Sequence, residues 1–244
     1  MRVNVTALLL SLGIVAGIVA ALASSIQILP FLGTIVGREA GLRQAAPPAS
    51  CREVRRDSDG RYAFSGDCGG QAPAPDGAFL VVKNPGEGTG VGVVRAGTGA
   101  AIGDLGVLDD GMGFTVLWSA RPRWFVADHY LGSGLAEAHL FEIVDGALVP
   151  RPRLIEEARR VLRAHGPCLP AGQLVVASVR WSRDGTRLVL VAGARPDACG
   201  TNGEWDWLWM IGDPATGRVD PASVRVIRDP PPKALPQDGP YASL

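Results

Sequence analysis

The stretch from Val179 to Gly217 constrains the fold of this 244-residue chain more than any other segment. It reads VRWSRDGTRLVLVAGARPDACGTNGEWDWLWMIGDPATG. A tight turn at Asp184-Gly185 follows the first apolar run, because Asp caps its own turn and Gly adopts positive φ. After the second apolar run come a long polar loop, a third run at Leu208–Ile211 and another turn. This order predicts an antiparallel β unit built from short strands.

Two other segments have weak internal similarity to this stretch. VLWSARPRWFVADHY followed by AHLFEIVDGAL parallels VRWSRDGTRLVLVAG followed by LWMIGDPATGRV, and APDGAFLVVKN with VGVVRA is a fainter third copy. Such repetition is typical of repeated antiparallel sheet units and indicates a mainly β fold. Besides the runs in the opening stretch, the pattern predicts strands at Arg61–Phe64, Phe79–Val82, Val91–Val94, Phe114–Ser119, Trp124–Tyr130, Ala138–Val144 and Val224–Ile227.

One segment departs from the β pattern. In RLIEEARRVLRAH, which is Arg153–His165, apolar residues recur at helical spacing and Gly166-Pro167 follows as a breaker pair. The spacing predicts one amphipathic helix packed on the sheets. Its arginines could bind an anionic surface, but Glu156 and Glu157 dilute their charge, which favours a solvated helix face.

The turn Trp181-Ser182-Arg183-Asp184-Gly185 resembles the WD40-like repeat of TolB-type β-propellers, in which a W-S-P-D-G turn precedes an apolar strand. Leu188–Val191 corresponds to that strand, and Leu208–Ile211 with Thr216-Gly217 to a later one. Arg183 replaces the usual proline, and the second copy has Ala120-Arg121-Pro122 in place of Asp-Gly. The resemblance implies a partial or small β-propeller-like fold. An open β-sandwich with one helix is equally compatible with the chain.

The amino-terminal segment is apolar almost throughout Met1–Val36, which is long enough to cross a bilayer as a helix. Ala21-Leu22-Ala23 is a candidate signal-peptidase site, whereas the apolar run beyond it favours a retained signal anchor. We therefore expect residues 1–36 to be a signal anchor or signal peptide and residues 37–50 to be a linker. Residues 51–228 would form a β-rich exported domain, followed by an extended proline-rich tail at 229–244.

The four cysteines are Cys51, Cys68, Cys168 and Cys199, and all follow the apolar segment. An even number of cysteines after an export signal favours disulfides in an oxidising compartment. Three pairings are possible, and the short loops they close favour Cys51–Cys68 with Cys168–Cys199. The cysteines therefore predict the bacterial cell envelope, with the bulk of the chain on its periplasmic or extracellular side.

Composition excludes several partners and cofactors. The 24 basic and 24 acidic side chains cancel, so the chain lacks the basic excess that a nucleic-acid partner requires. The glycine run GEGTGVG has neither a following helix nor a GK[ST] sequence, which argues against a nucleotide cofactor. No cysteine or histidine cluster has the spacing of a metal site, so neither a metal nor another cofactor is expected.

Candidates for catalysis are few. Asp128, His129 and Asp206 are the residues from which a hydrolase site could be assembled, in an enzyme whose loops supply the remainder. His139 and Glu142 lie three apart on a predicted strand, so they point to opposite faces and do not chelate together. A structural role for His129 is favoured over catalysis.

Trp205, Trp207 and Trp209 alternate along a predicted strand and would share one face. A tryptophan stripe can stack on sugar rings or anchor a protein partner, although packing between sheets is the favoured role. The sequence thus predicts an exported, membrane-tethered β-repeat module that binds an envelope protein or a glycan without catalysis. The alternative is an exported hydrolase with a site around Asp128 and His129.

Overall fold

The short apolar runs form antiparallel strands in the computed structural model. It describes residues 54–66, 68–86, 90–108, 112–132, 135–166, 174–194, 207–227, 238–242 and 244. All of these belong to one unit, Gln44–Leu244. The predicted signal segment 1–36 and the linker 37–50 lie outside the described residues. Within the described ranges, no helix has both the length and the hydropathy needed to cross a bilayer.

The mainly β prediction is confirmed: the described residues form three antiparallel sheets and a single α-helix. The strands are β1 (Arg61–Phe64), β2 (Gly70–Pro73), β3 (Phe79–Lys83), β4 (Val91–Arg95), β5 (Ala101–Asp104), β6 (Phe114–Trp118), β7 (Trp124–Gly132), β8 (Leu135–Val144), β9 (Ala147–Pro150), β10 (Leu174–Trp181), β11 (Leu188–Ala194), β12 (Trp207–Asp213), β13 (Arg218–Val219) and β14 (Arg225–Ile227). Sheet 1 has the strand order β2-β3-β4-β5, sheet 2 the order β1-β6-β7-β8-β9, and sheet 3 the order β10-β11-β12-β13, with β14 also paired to β12.

Each sheet contains a meander of four consecutive strands, and the same turn joins the first two strands of every meander. In this turn a backbone amide donates to the carbonyl five residues later at 2.9 Å: Ala74 to Phe79, Ser119 to Trp124, and Ser182 to Arg187. The two copies that sequence similarity placed side by side therefore occupy equivalent positions in sheets 2 and 3. The fainter copy occupies the same position in sheet 1.

Two tryptophans at these turns connect one sheet to the next. The indole Nε1 of Trp118 donates to the main-chain oxygen of Ala72 at 3.1 Å, linking sheet 2 to sheet 1. The Nε1 of Trp181 donates to the main-chain oxygen of Leu117 at 3.0 Å, linking sheet 3 to sheet 2. Ala72 lies two residues before the turn amide of Ala74 in sheet 1, and Leu117 lies two residues before that of Ser119 in sheet 2. The same contact therefore joins each pair of neighbouring sheets.

Gly185 is required where sheets 2 and 3 approach each other. Its φ is +68°, and its carbonyl accepts a hydrogen bond from the Ser119 hydroxyl at 2.9 Å. A Cβ at this position would lie 2.3 Å from Ser119 Oγ and 2.8 Å from the Arg121 amide nitrogen. Any other residue would therefore push the turn away from sheet 2.

The apolar side chains form three layers. One cluster is shared by sheets 1 and 2 and includes Val81, Val93 and Phe125. A second is shared by sheet 2, sheet 3 and the helix and includes Val126 and Leu190. Since Phe125 and Val126 are adjacent on β7, alternation buries both faces of sheet 2. The third cluster covers the opposite face of sheet 3.

The predicted helix is confirmed with the expected bounds, and we name Arg153–His165 α1. Its buried residues, Leu154, Ile155, Ala158 and Leu162, lie on one face and join the cluster of sheets 2 and 3. A Cβ at Gly212 would lie 2.4 Å from Leu154, so glycine in β12 allows the helix to pack closely on sheet 3. The helix ends at Gly166, whose amide donates to the Leu162 carbonyl at 2.9 Å.

The indole bonds between sheets predict unequal effects for three Trp→Phe substitutions. Trp181→Phe and Trp118→Phe each leave a carbonyl without its indole donor, which we expect to destabilise the fold by about 1–3 kcal/mol through the hydrogen bond alone. Trp209 is a matched control, because its buried Nε1 has no acceptor among the described residues. Urea unfolding of the three variants measures the difference. Equal destabilisation by all three would contradict a specific role for the indole bonds.

The turn of sheet 3 also predicts a pH dependence. Asp184 accepts hydrogen bonds from the Ser182 hydroxyl (2.6 Å) and from the amide (3.1 Å) and hydroxyl (2.8 Å) of Thr186. These bonds lower the pKa of Asp184 from its ordinary value of 3.8 to about 2. Because the pKa is depressed in the folded state, the stabilisation is present above the ordinary value and is lost as pH falls towards about 2. NMR titration of the Asp184 carboxyl carbon should give a midpoint near the lower value, and a midpoint near 3.8 would refute the assignment.

Candidate functional site

Asp128 lies at the centre of a buried polar cluster that joins three strands. Its carboxylate accepts hydrogen bonds from Arg61 on β1 (2.7 Å) and from the amide (2.8 Å) and hydroxyl (2.5 Å) of Ser178 on β10. The Arg61 guanidinium also donates to the main-chain oxygens of Ser178 (2.6 Å) and Val179 (2.7 Å). Each of these residues belongs to sheet 2 or sheet 3. The cluster therefore joins these two sheets, and the hydrogen bonds of Asp128 to Arg61 and Ser178 have a structural role.

The hydrolase alternative requires Asp128 and His129 to converge, and the strand separates them. Neighbouring residues of a strand point to opposite faces, and Asp128 points towards sheet 3. His129 lies on the other face with His139, the two ring centroids being 6.3 Å apart. Burial lowers the pKa of His139. Asp206, the third candidate, lies outside the described residues.

Glu142 is also held by structural ion pairs. Its carboxylate accepts hydrogen bonds from Arg123 at 2.6 Å and from Arg151 at 3.0 Å, while its side chain is buried. His139 points to the opposite face of β8, as the spacing of the two residues predicts. In the described ranges, no group of three or more His, Cys, Asp or Glu side chains could hold a metal ion.

The two described tryptophans of the stripe, Trp207 and Trp209, differ in burial. Trp209 is only 1% exposed, and its ring meets Tyr241 edge-on with centroids 6.1 Å apart. Trp207 is partly buried and packs on the same cluster, close against Gly193. Trp205 lies outside the described residues. In this structure Trp209 is therefore a core residue, and a binding role for the stripe remains a prediction.

Cys68 is the one cysteine in the described part of the chain. It follows β1, and its amide donates to the Ser65 carbonyl at 2.9 Å. Cys51, Cys168 and Cys199 lie outside the described residues. Both proposed disulfides therefore stay predictions.

A concavity of the described surface lies between α1 and β13. A cavity of about 520 Å³ is lined by Arg153, Glu156, Glu157, Arg160, Gly217, Arg218, Val219 and Pro221. A smaller one of about 180 Å³ continues from Arg218 and Val219 towards Arg187, Asp213 and Asp220. We call the two together the α1–β13 groove. Most of the residues that line it are charged, and none of them is aromatic.

Charge in the α1–β13 groove is only partly compensated. Arg160 forms a bidentate ion pair with Glu157, in which Nε donates to Oε2 at 2.6 Å and Nη2 donates to Oε1 at 2.7 Å. This hydrogen bonding is the main reason why the pKa of Glu157 is lowered, and the charges of Arg218 and Arg153 act in the same direction. Arg153 and Arg218 are exposed and form no ion pair with the described residues. Two guanidinium groups are therefore available to a ligand, and such groups bind carboxylates through paired hydrogen bonds.

Local sequence identifies only part of this groove. The helix pattern places Arg153, Glu156, Glu157 and Arg160 on one element, but Arg187 and Arg218 come from other segments of the chain. Arg218 follows the turn at Thr216-Gly217, where a Cβ on Gly217 would lie 2.7 Å from the Arg153 side chain. This close contact brings β13 beside the helix, and it is visible only after folding.

Comparison with protein-family models, with curated proteins and with solved structures finds no match to this chain.

The ion pair of Asp128 predicts a large loss of stability on substitution. Asp128→Asn leaves the Arg61 charge without its carboxylate between two sheets, which we expect to cost about 3–5 kcal/mol in unfolding free energy. Glu157→Gln is the control, because it removes one partner of an exposed ion pair, and such pairs contribute little to stability. Denaturant unfolding distinguishes the two. A loss at Asp128 as small as that at Glu157 would contradict the structural role.

Proposed function

We propose that this chain is an exported, membrane-tethered β-repeat module that binds a protein of the cell envelope through the α1–β13 groove. The observation that carries the proposal is the pair of exposed guanidinium groups, Arg153 and Arg218, beside a cavity of about 520 Å³. A polypeptide segment bearing carboxylates suits this surface. Glu156 on the same wall favours a partner that also carries a positive charge.

Features of the fold support kinship with TolB-type propeller repeats. Three turns share one hydrogen-bond pattern, and two of them begin with Trp-Ser. The tryptophans of these two turns donate to carbonyls of the preceding sheet, which gives the repeat motif a structural purpose. We propose that the three sheets are successive units of a partial propeller-like stack.

Export and tethering are proposed from the amino-terminal sequence and the cysteines. Residues 1–36 have the length and hydropathy of a signal anchor, and the linker 37–50 would separate this anchor from the β domain. Disulfides at Cys51, Cys68, Cys168 and Cys199 would require the oxidising side of the membrane. The module would then face the periplasm or the exterior.

The lining of the groove favours a protein over a glycan. Sugar rings are bound by stacking on aromatic faces, and the side chains that line the groove are charged, aliphatic or proline. Guanidinium groups instead recognise carboxylates with defined geometry. Of the two described tryptophans of the predicted stripe, Trp209 is covered by Tyr241, and Trp207 is partly buried against the same cluster.

Charge reversal in the groove tests the proposed function. The full chain carrying Arg153→Glu and Arg218→Glu should lose its envelope partner in quantitative affinity capture, with affinity falling about tenfold or more, because two charged contacts become repulsive. Arg163→Glu is the matched control, since Arg163 is exposed on the same helix but does not line the groove.

The captured protein should also dissociate as salt concentration rises, since exposed charge pairs are screened. If the same proteins are captured by the double variant and by Arg163→Glu, the groove is not the binding site. That outcome would refute the proposal.

A further inference from the structure

The described residues of the segment 238–244, which are 238–242 and 244, cover the face of sheet 3 that points away from sheet 2. Tyr241 is 3% exposed and Leu244 is 7% exposed, and both join the cluster formed by Val189, Val191 and Trp209. The sequence pattern predicts an extended tail here, whereas the described end of this segment packs on the sheet. An aromatic side chain and an aliphatic one three residues later provide the apolar contact.

Polar contacts fix the position of this segment. The Tyr241 hydroxyl donates to the Ser223 carbonyl at 2.6 Å, and burial raises the pKa of Tyr241 to about 12. Arg225 forms an ion pair with Asp238 at 2.7 Å and lies over the Tyr241 ring, 5.4 Å from its centroid. Arg180 donates to the main-chain oxygen of Leu244. The rest of the domain thus recognises three features of the segment: its acidic residue, its aromatic ring and a main-chain oxygen.

This face differs from the two sheet-to-sheet contacts in one respect. Trp118 and Trp181, which link neighbouring sheets, each donate from the indole nitrogen to a carbonyl. Trp209 Nε1 is buried beneath the segment and has no hydrogen-bond partner among the described residues. A buried donor without an acceptor weakens the bound state. Residues 238–244 therefore fit the face but leave one of its donors unsatisfied.

We propose that this face of sheet 3 is a peptide-binding surface that residues 238–244 occupy within the same chain. Its partner in trans is a protein segment with an acidic residue, an aromatic residue three positions later and an aliphatic residue three positions after that. A partner that also offers an acceptor to Trp209 Nε1 displaces the chain's own segment. The surface lies on the opposite face of sheet 3 from α1, so the inference goes beyond the proposed function of the groove.

The chain's own segment competes strongly because it is tethered. Residues 228–237 connect β14 to Asp238, and a short tether gives an effective concentration on the order of millimolar. A peptide added in trans therefore binds the unaltered chain weakly. It binds well only when the internal contacts have been weakened.

The test uses a fluorescent peptide with the sequence PQDGPYASL, which is that of residues 236–244, and the full chain carrying Tyr241→Ala. Fluorescence anisotropy should show saturable binding to this variant that is at least tenfold tighter than binding to the unaltered chain. The same peptide with alanine in place of its tyrosine should not bind. No saturable binding to the folded variant, or equal affinity for both chains, would overturn the proposal.

Two further measurements are needed. The first shows whether the variant is folded, and the second shows whether peptide binding is independent of the α1–β13 groove. Far-ultraviolet circular dichroism checks that Tyr241→Ala is folded. If it is not, Asp238→Ala replaces it, since Asp238 is exposed and its substitution removes the ion pair with Arg225. Tighter peptide binding to this variant supports the proposal, and unchanged binding opposes it. Adding Arg153→Glu and Arg218→Glu to Tyr241→Ala should leave peptide affinity unchanged, so the two surfaces can fail independently.

Discussion

The hydrogen bond from the Trp181 indole to the Leu117 carbonyl fixes how the third sheet sits on the second. Apolar faces attract each other without specifying position, because burial of apolar area is non-directional. A donor that reaches one particular carbonyl gives the contact a defined register. Trp118 makes the equivalent bond to Ala72. The stack of three sheets is therefore positioned by a contact that recurs at each boundary.

This layered packing determines the roles of the polar residues in sheet 2. Both of its faces are covered, so a charged side chain on it must be paired. Asp128 pairs with Arg61, and Glu142 pairs with Arg123 and Arg151. Carboxylates that resemble catalytic candidates in the sequence are committed to joining strands and sheets. Two exposed guanidinium groups that form no ion pair with the described residues lie beside the edge of sheet 3, at Arg153 of α1 and Arg218 of β13.

Local sequence was sufficient for the strongly apolar strands and for the helix. The predicted helix has its observed bounds at Arg153–His165, because amphipathic spacing and a terminal Gly-Pro pair are local signals. The short outer strands β5, β9 and β13 carried weaker signals, since AIGD, ALVP and RV contain few residues that alternate. The partner of β1 was also unpredictable from RYAF. This strand pairs with β6 some fifty residues later, a long-range choice that places Arg61 beside Asp128.

By itself the sequence determined the turn chemistry, the alternation of the strands and the single amphipathic helix, since each depends on neighbouring residues. Tertiary structure decided which residues meet. Trp181 and Trp209 are both buried tryptophans on strands of sheet 3, yet only the first faces a carbonyl of another sheet. Arg153 and Arg218 likewise become neighbours only when α1 packs against β13. Both the hydrogen bond of Trp181 and the proximity of the two arginines depend on packing between segments that are distant in sequence. No local sequence pattern encodes such packing.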